Sequence, residues 1–259
     1  MSYMNKILFM LILLLSIQSP LHAGNVVTRS ILANEVAQYI ATKGYGIGNL
    51  ELRMEGADEI LRINYPKGSI DPGSFNAGIT PLGGAGVIIP SFPVVGDAVW
   101  LSYDLRLPVN FPFVHGGKLP GLAGGKANTG GNIPNGYDGF SARLMWRGDG
   151  AGEVYAYLPT SDTWGTSLGR GSFNLNPGVW MTISEYVKLN TPGTEDGVID
   201  LYLNNKLVHH AINLRFRDID SLKIDKLYFE TFFGGNAPDW AAPYDTYIEV
   251  KNINLWIAK

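Results

Sequence analysis

The amino-acid sequence predicts an all-β fold, a sandwich or jelly roll of two antiparallel sheets, and three observations carry that expectation. The 259 residues include 32 Gly and 15 Pro, too many backbone punctuators for a helical bundle. Aromatic residues make up 12% and charged residues only 17%, the balance of a chain built from strands, turns and a large core rather than of a disordered one. Short apolar or alternating runs recur between turn clusters with no long helical pattern among them, which disfavours a parallel α/β architecture. A single domain over residues 24–259 suits this length, and no repeat, linker or charge block marks a second one.

Residues 1–23 read as a cleavable export signal. Lys6 gives a basic start, residues 7–17 form an apolar run interrupted only by Ser16, and Leu21-His22-Ala23 offers a small-residue cleavage site. The run is shorter than the roughly 20 residues a membrane-spanning helix needs. A secreted or periplasmic monomer is therefore expected, with no membrane association after cleavage. Without Lys6 there remain 19 basic and 23 acidic residues, a net charge of −4, which argues against a general nucleic-acid binder. The chain has no cysteine, so its stability rests on packing rather than on disulfides, and thiolate chemistry is excluded.

A short helix is expected over 31–43, capped by Ser30, with Ile31, Leu32, Val36, Tyr39 and Ile40 at helical spacing and Gly44 as its stop. Strands are then expected at 51–65, 98–107, 140–147, 153–158, 180–189, 198–203, 206–212, 222–233 and 246–257. Asn204-Asn205 joins two of these as a two-residue hairpin, since Asn tolerates the positive φ of a type I′ turn. A second hairpin follows from strict alternation. Phe140, Ala142, Leu144 and Trp146 share one face of their strand, and Ser141, Arg143, Met145 and Arg147 share the other. After a Gly-rich turn, Val154, Ala156 and Leu158 oppose Glu153, Tyr155 and Tyr157 in the same way. A turn centred on Gly150 would set Arg147 against Glu153, Met145 against Tyr155 and Arg143 against Tyr157. A slip of two residues would change partners but not faces.

One sheet surface thus gathers a guanidinium, two phenols and a hydroxyl. Arginine pairs bidentately with carboxylates, and phenols transfer protons when their environment tunes them. An acidic polysaccharide fits that set, although Arg143 paired with a protein carboxylate above an ordinary amphipathic sheet fits the pattern equally. Residues 116–125 read as a Gly-rich loop carrying one charged side chain, Lys118, and Leu119 after it breaks the phosphate-loop spacing. His115 precedes that loop and could line a cleft. Gly165-Thr166-Ser167-Leu168-Gly169 matches a nucleophile elbow in letters only, because no strand-to-helix turn is expected there. His209 and His210 alternate across a strand and cannot form a two-His metal site. Asp239 and Asp245 could help hold a structural calcium ion, and loop capping explains them better; no metal or cofactor requirement is indicated. Trp100, Trp180, Trp240 and Trp256 are expected in the core.

Four blocks, Gly-Gly-Lys-Leu-Pro-Gly-Leu at 116–122, Phe-Ser-Ala-Arg-Leu-Met-Trp-Arg at 140–147, Glu-Val-Tyr-Ala-Tyr-Leu-Pro at 153–159 and Phe-Phe-Gly-Gly at 232–235, resemble the signature blocks of polysaccharide lyase family 14, the alginate lyases and their glucuronan lyase relatives. The resemblance spans roughly residues 50–257. It implies a β-jelly roll with a cleft on its concave sheet and cleavage of 1,4-linked uronate polymers by β-elimination. The family's important lysine falls on Lys118, its serine and arginine on Ser141 and Arg143, and its tyrosines on Tyr155 and Tyr157. Within that chemistry Lys118, Arg143, Tyr155 and Tyr157 are the candidate catalytic residues, and Ser141, Arg147 and His115 are candidate substrate contacts. Lys118 or either tyrosine could be the base, and a tyrosine could protonate the leaving oxygen. Two other functional classes fit the residues less well. A carbohydrate-binding, lectin-like module would not need a lysine, an arginine and paired tyrosines together, and a glycoside hydrolase would need two carboxylates flanking the scissile bond.

Overall fold

The computed structural model describes residues 28–258, so the export-signal reading of 1–23 lies outside the described residues. In chain order the elements are β1 (Thr28–Ile31), α1 (Ala33–Lys43), β2 (Leu50–Glu55), β3 (Asp58–Tyr65), α2 (Pro72–Asn76), β4 (Ala85–Pro90), β5 (Ala98–Arg106), β6 (Gly116–Gly125), β7 (Gly139–Arg147), β8 (Ala151–Tyr157), β9 (Thr166–Asn174), β10 (Trp180–Lys188), β11 (Gly197–Leu203), β12 (Lys206–Leu214), β13 (Lys226–Phe233) and β14 (Thr246–Ile257). Two antiparallel sheets form a jelly-roll sandwich. The larger runs β12-β11-β10-β5-β14-β3-β2 with β1 added beside β14, and the smaller runs β4-β13-β6-β7-β8-β9. Among the described residues no helix is long and apolar enough to cross a membrane.

The core lies between the sheets, where alternation brings Leu101, Tyr103 and Leu105 of β5 against Phe140, Ala142, Leu144 and Trp146 of β7 and Val154 and Ala156 of β8. Tyr65, Phe111, Trp146 and Phe233 interlock there, mostly edge to face, with ring centroids between 5.1 and 6.4 Å. Helix α1 closes one end by burying Ala33, Val36 and Ile40 against β3 and β4.

Several expectations change in detail. The helix begins at Ala33 rather than 31, and Ser30 does not cap it. Ser30 belongs to β1, opposite Asn254, and its hydroxyl donates to the Asn254 side chain. The expected strand 51–65 is a hairpin, β2 and β3, turning at Gly56, whose φ is +65°. Strands β1, β4 and β9 were not anticipated, and residues 116–125 are a strand rather than a loop. Five glycines and a proline hide β6 from strand propensity, yet packing demands small residues in it. A Cβ at Gly117 would stand 2.0 Å from the Trp146 ring. The expected core tryptophans are displaced as well. Trp100, Trp180 and Trp256 lie on the outer face of the larger sheet, with Trp100 stacked on Trp256, because their neighbours Leu101, Met181 and Leu255 take the inner positions. Trp256 is nonetheless buried there, as expected, while Trp240 stands at a surface cleft and Trp146 packs between the sheets. Asn204-Asn205 turns as expected, both residues at positive φ. In the β7–β8 hairpin the turn centres on Asp149, at φ +59°, so Ser141 faces Tyr157, Arg143 faces Tyr155 and Met145 faces Glu153. The pairing differs by two residues from the expected one, and both faces are preserved.

The close approach at Gly117 gives a stability prediction. Gly117→Ala forces the methyl into Trp146, and overpacking of this kind costs about 1–3 kcal/mol. A urea melt should show that loss, and a melt indistinguishable from wild type would contradict the packing described.

Candidate functional site

The outer face of the smaller sheet carries a cleft of about 600 Å³. Its floor is Lys118 from β6, Arg143, Met145 and Arg147 from β7, Tyr155 and Tyr157 from β8, and Glu230 and Phe232 from β13. Its walls come from loops: Asp71–Gly73 at α2, Thr129 and Gly130 before β7, Trp164 after β8, and Gly234–Asn236 with Trp240 after β13. Trp240 stands by Gly116, where β6 begins, and Trp164 by Gly131 and the end of β8. The cleft therefore runs along the strands, and the seven residues from Ser141 to Arg147, six steps along the strand, extend about 20 Å. That is room for several sugar rings.

Lys118 is buried in this floor without an ion pair among the described residues. Its Nζ contacts Met145 Sδ at 2.8 Å and lies 4.3 Å from the centre of the Tyr155 ring. Burial, and then the charges of Arg143 and Arg147, hold its pKa well below the ordinary lysine value, against a weaker opposing pull from Glu230 and Glu153. Tyr155 moves the other way. Burial and the neighbouring Tyr157 push its phenol up to about 12, so it stays protonated. Tyr157 meets it edge to face at 5.8 Å and accepts a hydrogen bond from the Gly131 amide at 3.1 Å.

Both arginines are tied to carboxylates. Arg143 is almost completely buried, pairs with Glu230, donates to the Thr129 hydroxyl and lies 4.5 Å over the Tyr228 ring. Its buried Nε has no hydrogen-bond partner among the described residues. Tyr45 reaches the other oxygen of Glu230 at 3.3 Å. Arg147 donates twice to Glu153 Oε1, at 2.8 and 2.5 Å, while Arg170 holds Glu153 Oε2 at 2.7 Å. Three guanidinium groups are thus tied to two carboxylates across the floor, and a third carboxylate, Asp71, stands in the wall.

Of the seven residues singled out in the sequence, Lys118, Arg143, Arg147, Tyr155 and Tyr157 line the cleft together. Ser141 is fully buried and does not line it; its hydroxyl donates to the Asn128 carbonyl at 2.6 Å and ties down the loop that carries Thr129. His115 stands outside, half exposed, 3.3 Å from Asp239 and against the Trp240 ring. Glu230, Met145, Thr129, Trp164 and Trp240 were missed. Alternation marked Met145, and the spacing Tyr228, Glu230, Phe232 could have marked Glu230; the loop residues carry no such signal. Ser167 lies on β9 and donates to Glu153. His210 pairs with Asp200, His209 packs at Gly169, and Asp245 accepts from the Lys67 amide. Among the described residues no cluster of three or more His, Asp or Glu could hold a metal ion.

Residues 53–253 match the family described as Polysaccharide lyase 14. Among solved structures the chain is similar to the PL-14 alginate lyase of the marine Aplysia kurodai, with 32% identity over 91% of this chain and 100% of that one at a TM-score of 0.75. It also shares its fold with alginate lyase vAL-1 from Chlorella virus, at 20% identity, 89% and 99% coverage and a TM-score of 0.74. The endo-β-1,4-glucuronan lyase of the fungus Trichoderma reesei has the same fold at 10% identity, 92% coverage of both chains and a TM-score of 0.54. No curated protein sequence matches the chain.

The Arg143–Glu230 pair makes a prediction independent of activity. Glu230→Ala leaves a buried guanidinium without its counter-ion and should cost about 3–5 kcal/mol in a denaturant melt. Glu51→Ala removes a half-exposed partner of Arg53 and should cost less than about 1 kcal/mol. Equal effects would mean that the buried pair is not a structural tie.

Proposed function

The chain belongs to polysaccharide lyase family 14 and is a lyase of uronate polysaccharides, and from that premise we propose that it cleaves 1,4-linked alginate by β-elimination, with Lys118 as base and Tyr155 as acid. One observation carries the assignment: the same buried floor pushes the two proton-transfer groups in opposite directions, the amine toward its neutral form and the phenol toward its protonated form. Neutral Lys118 takes the C5 proton, the C5–H electrons form the C4–C5 double bond, the C4–O4 bond breaks, and Tyr155 gives its proton to the departing O4. The resulting ammonium and phenolate lie side by side, Nζ 4.3 Å from the ring centre, and a proton passing from one to the other restores both.

Charge develops on the uronate carboxylate as C5 loses its proton, and Arg143 and Arg147 supply fixed cations for it. Tyr157, anchored by the Gly131 amide, supports Tyr155 from its edge. Ser141 acts by holding the Asn128–Thr129 loop. The cleft carboxylates do not suit a glycosidase, since Glu230 and Glu153 are bound to arginines and Asp71 caps α2.

Lys118 and Tyr155 project from the same sheet face, so proton removal and donation on one side of the sugar ring are favoured. Mannuronate presents H5 and O4 on one side, and guluronate presents them on opposite sides. Mannuronate-rich alginate is thus the preferred substrate; glucuronan shares that geometry and is the runner-up. Two variants of alginate lyase Aly36B, 22% and 24% identical to this chain, are in complex with alginate trisaccharide and tetrasaccharide, which supports an oligouronate ligand for a cleft of this length. Export fits a polymer substrate and the apolar leader at 1–23; protein confined to the cell would refute export, and a retained Met1 on protein recovered from outside the cell would refute cleavage of that leader.

The ultraviolet absorbance of unsaturated uronate ends, followed on mannuronate-rich alginate, guluronate-rich alginate and glucuronan, tests the substrate and the mechanism together. The first polymer should react fastest. Lys118→Ala and Tyr155→Phe should each lose about 100-fold or more in kcat, the usual range for a missing general acid or base. No product from any uronate polymer with an intact fold would refute the lyase reading. The pH profile follows from the same groups. Activity requires the neutral amine, so kcat/KM should rise with pH through the lowered Lys118 pKa and fall only as the solution approaches about 12, where Tyr155 ionises. Arg147→Gln removes a cation that lowers the Lys118 pKa and should move the acid limb to higher pH. An unmoved limb would detach Lys118 from that limb.

A further inference from the structure

We propose that Glu185 and Tyr103, which lie in the core and belong to the opposite sheet, are positioning residues that aim Lys118 into the cleft by holding a β-bulge at Pro120. The inference rests on the reading of Lys118 as the base and extends it to residues that never touch substrate.

The bulge is visible in the register. Against β7, Leu119 pairs with Leu144 and Gly121 with Arg143, so Pro120 is an extra residue. Against β13 the register shifts across the same stretch, from Gly121 opposite Tyr228 to Lys118 opposite Phe232. Its effect on side-chain direction is decisive. Leu122 is a core residue and Ala123 packs with Tyr228 on the outer side, so unbroken alternation back from Leu122 would put Lys118 in the core and Leu119 in the cleft. The extra residue inverts that order, leaving Leu119 inside and Lys118 beside Met145 outside. Proline suits the bulge position because it has no N–H to leave unpaired.

Two groups reach this bulge from across the core. The Tyr103 hydroxyl of β5 donates to the Pro120 carbonyl at 3.2 Å. The Leu122 amide donates to Glu185 Oε2 of β10 at 3.1 Å. Together they hold the segment from the Pro120 carbonyl to the Leu122 amide, the C-terminal side of the bulge. Glu185 is wholly buried, its other oxygen has no hydrogen-bond partner among the described residues, and burial raises its pKa well above the usual carboxylate value. A wholly buried carboxyl group with a single amide hydrogen bond is a costly thing to keep in a hydrophobic core. The one hydrogen bond its side chain makes among the described residues is to the segment that determines which way Lys118 points.

The test compares Glu185→Leu, Glu185→Gln, Tyr103→Phe and Lys118→Ala with wild type, using kcat and KM on mannuronate-rich alginate, the acid limb of kcat/KM and the thermal midpoint. Glu185→Leu removes the acceptor and should lower kcat by about 100-fold, the scale of a displacement of order 1 Å in a reacting group. KM should stay unchanged and the acid limb should move as Lys118 leaves its surroundings. Glu185→Gln keeps an acceptor for the Leu122 amide and should recover most of the rate. A folded Glu185→Leu protein with wild-type kcat and limb, or Glu185→Gln as impaired as Glu185→Leu, would overturn the inference. If Glu185→Leu does not fold, Tyr103→Phe decides: about a tenfold loss in kcat at constant KM, the equivalent of one hydrogen bond, supports it, and an unchanged kcat overturns it. A fully active Lys118→Ala protein would instead overturn the base assignment and this inference with it.

Discussion

Strand alternation in the smaller sheet is the constraint on which the rest of the molecule depends. Strands β6, β7 and β8 wall the core with one set of side chains and floor the cleft with the other, so neither set can move without the other. Trp146 and Leu144 lock β7 into the interlocked aromatic core, and Arg143, Met145 and Arg147 are thereby fixed on its far side. A site built on strands in this way inherits the rigidity of close packing, which suits proton transfers that fail when a group is misplaced by a fraction of a bond length.

The electrostatics of the floor follow from where its carboxylates stand. Glu230 and Glu153 are each committed to arginines, so they hold cations in place without reaching Lys118 as ion-pair partners. Lys118 is left buried beside a thioether and an aromatic ring, neither of which stabilises an ammonium as a carboxylate would. Burial and the neighbouring guanidinium groups press on the amine, whose pKa is held well below its ordinary value. Three cationic side chains in one cleft thereby take different roles without any change in net charge elsewhere.

Much of this was legible in the sequence, and the part that was not has a physical reason. Alternation in 140–147 and 153–158 gave the hairpin, both of its faces and five of the cleft residues; only the register failed, because turn geometry at Asp149 rather than side-chain pattern sets it. Strand β6 was misread as a loop, since strand propensity reports side chains and this strand has little room for them. The tryptophans were assigned to the core by residue type, whereas their faces depend on neighbours such as Leu101 and Leu255. Glu230 and Glu185 are non-local in effect. Each acts on a residue more than sixty positions away, Arg143 in one case and Leu122 in the other, and no local window joins them.

The chain as a whole carries a formal charge of −3, the wrong sign for a polyanionic substrate. Long-range steering is therefore not what brings polymer to the cleft, because charges beyond a Debye length of about 8–10 Å are largely screened. What matters is the arrangement inside the cleft: Arg143, Arg147 and Arg170 are tied to Glu230 and Glu153, Asp71 stands in the wall, and Lys118 is buried without an ion pair among the described residues. A site with several free lysines would bind polyuronate more strongly, but it would bind substrate and transition state alike and slow release of the product chains. Under the proposed mechanism the paired guanidinium groups act at the carboxylate of the reacting sugar, where negative charge grows during the elimination, and Trp164 and Trp240 extend the cleft walls as aromatic surface without adding charge.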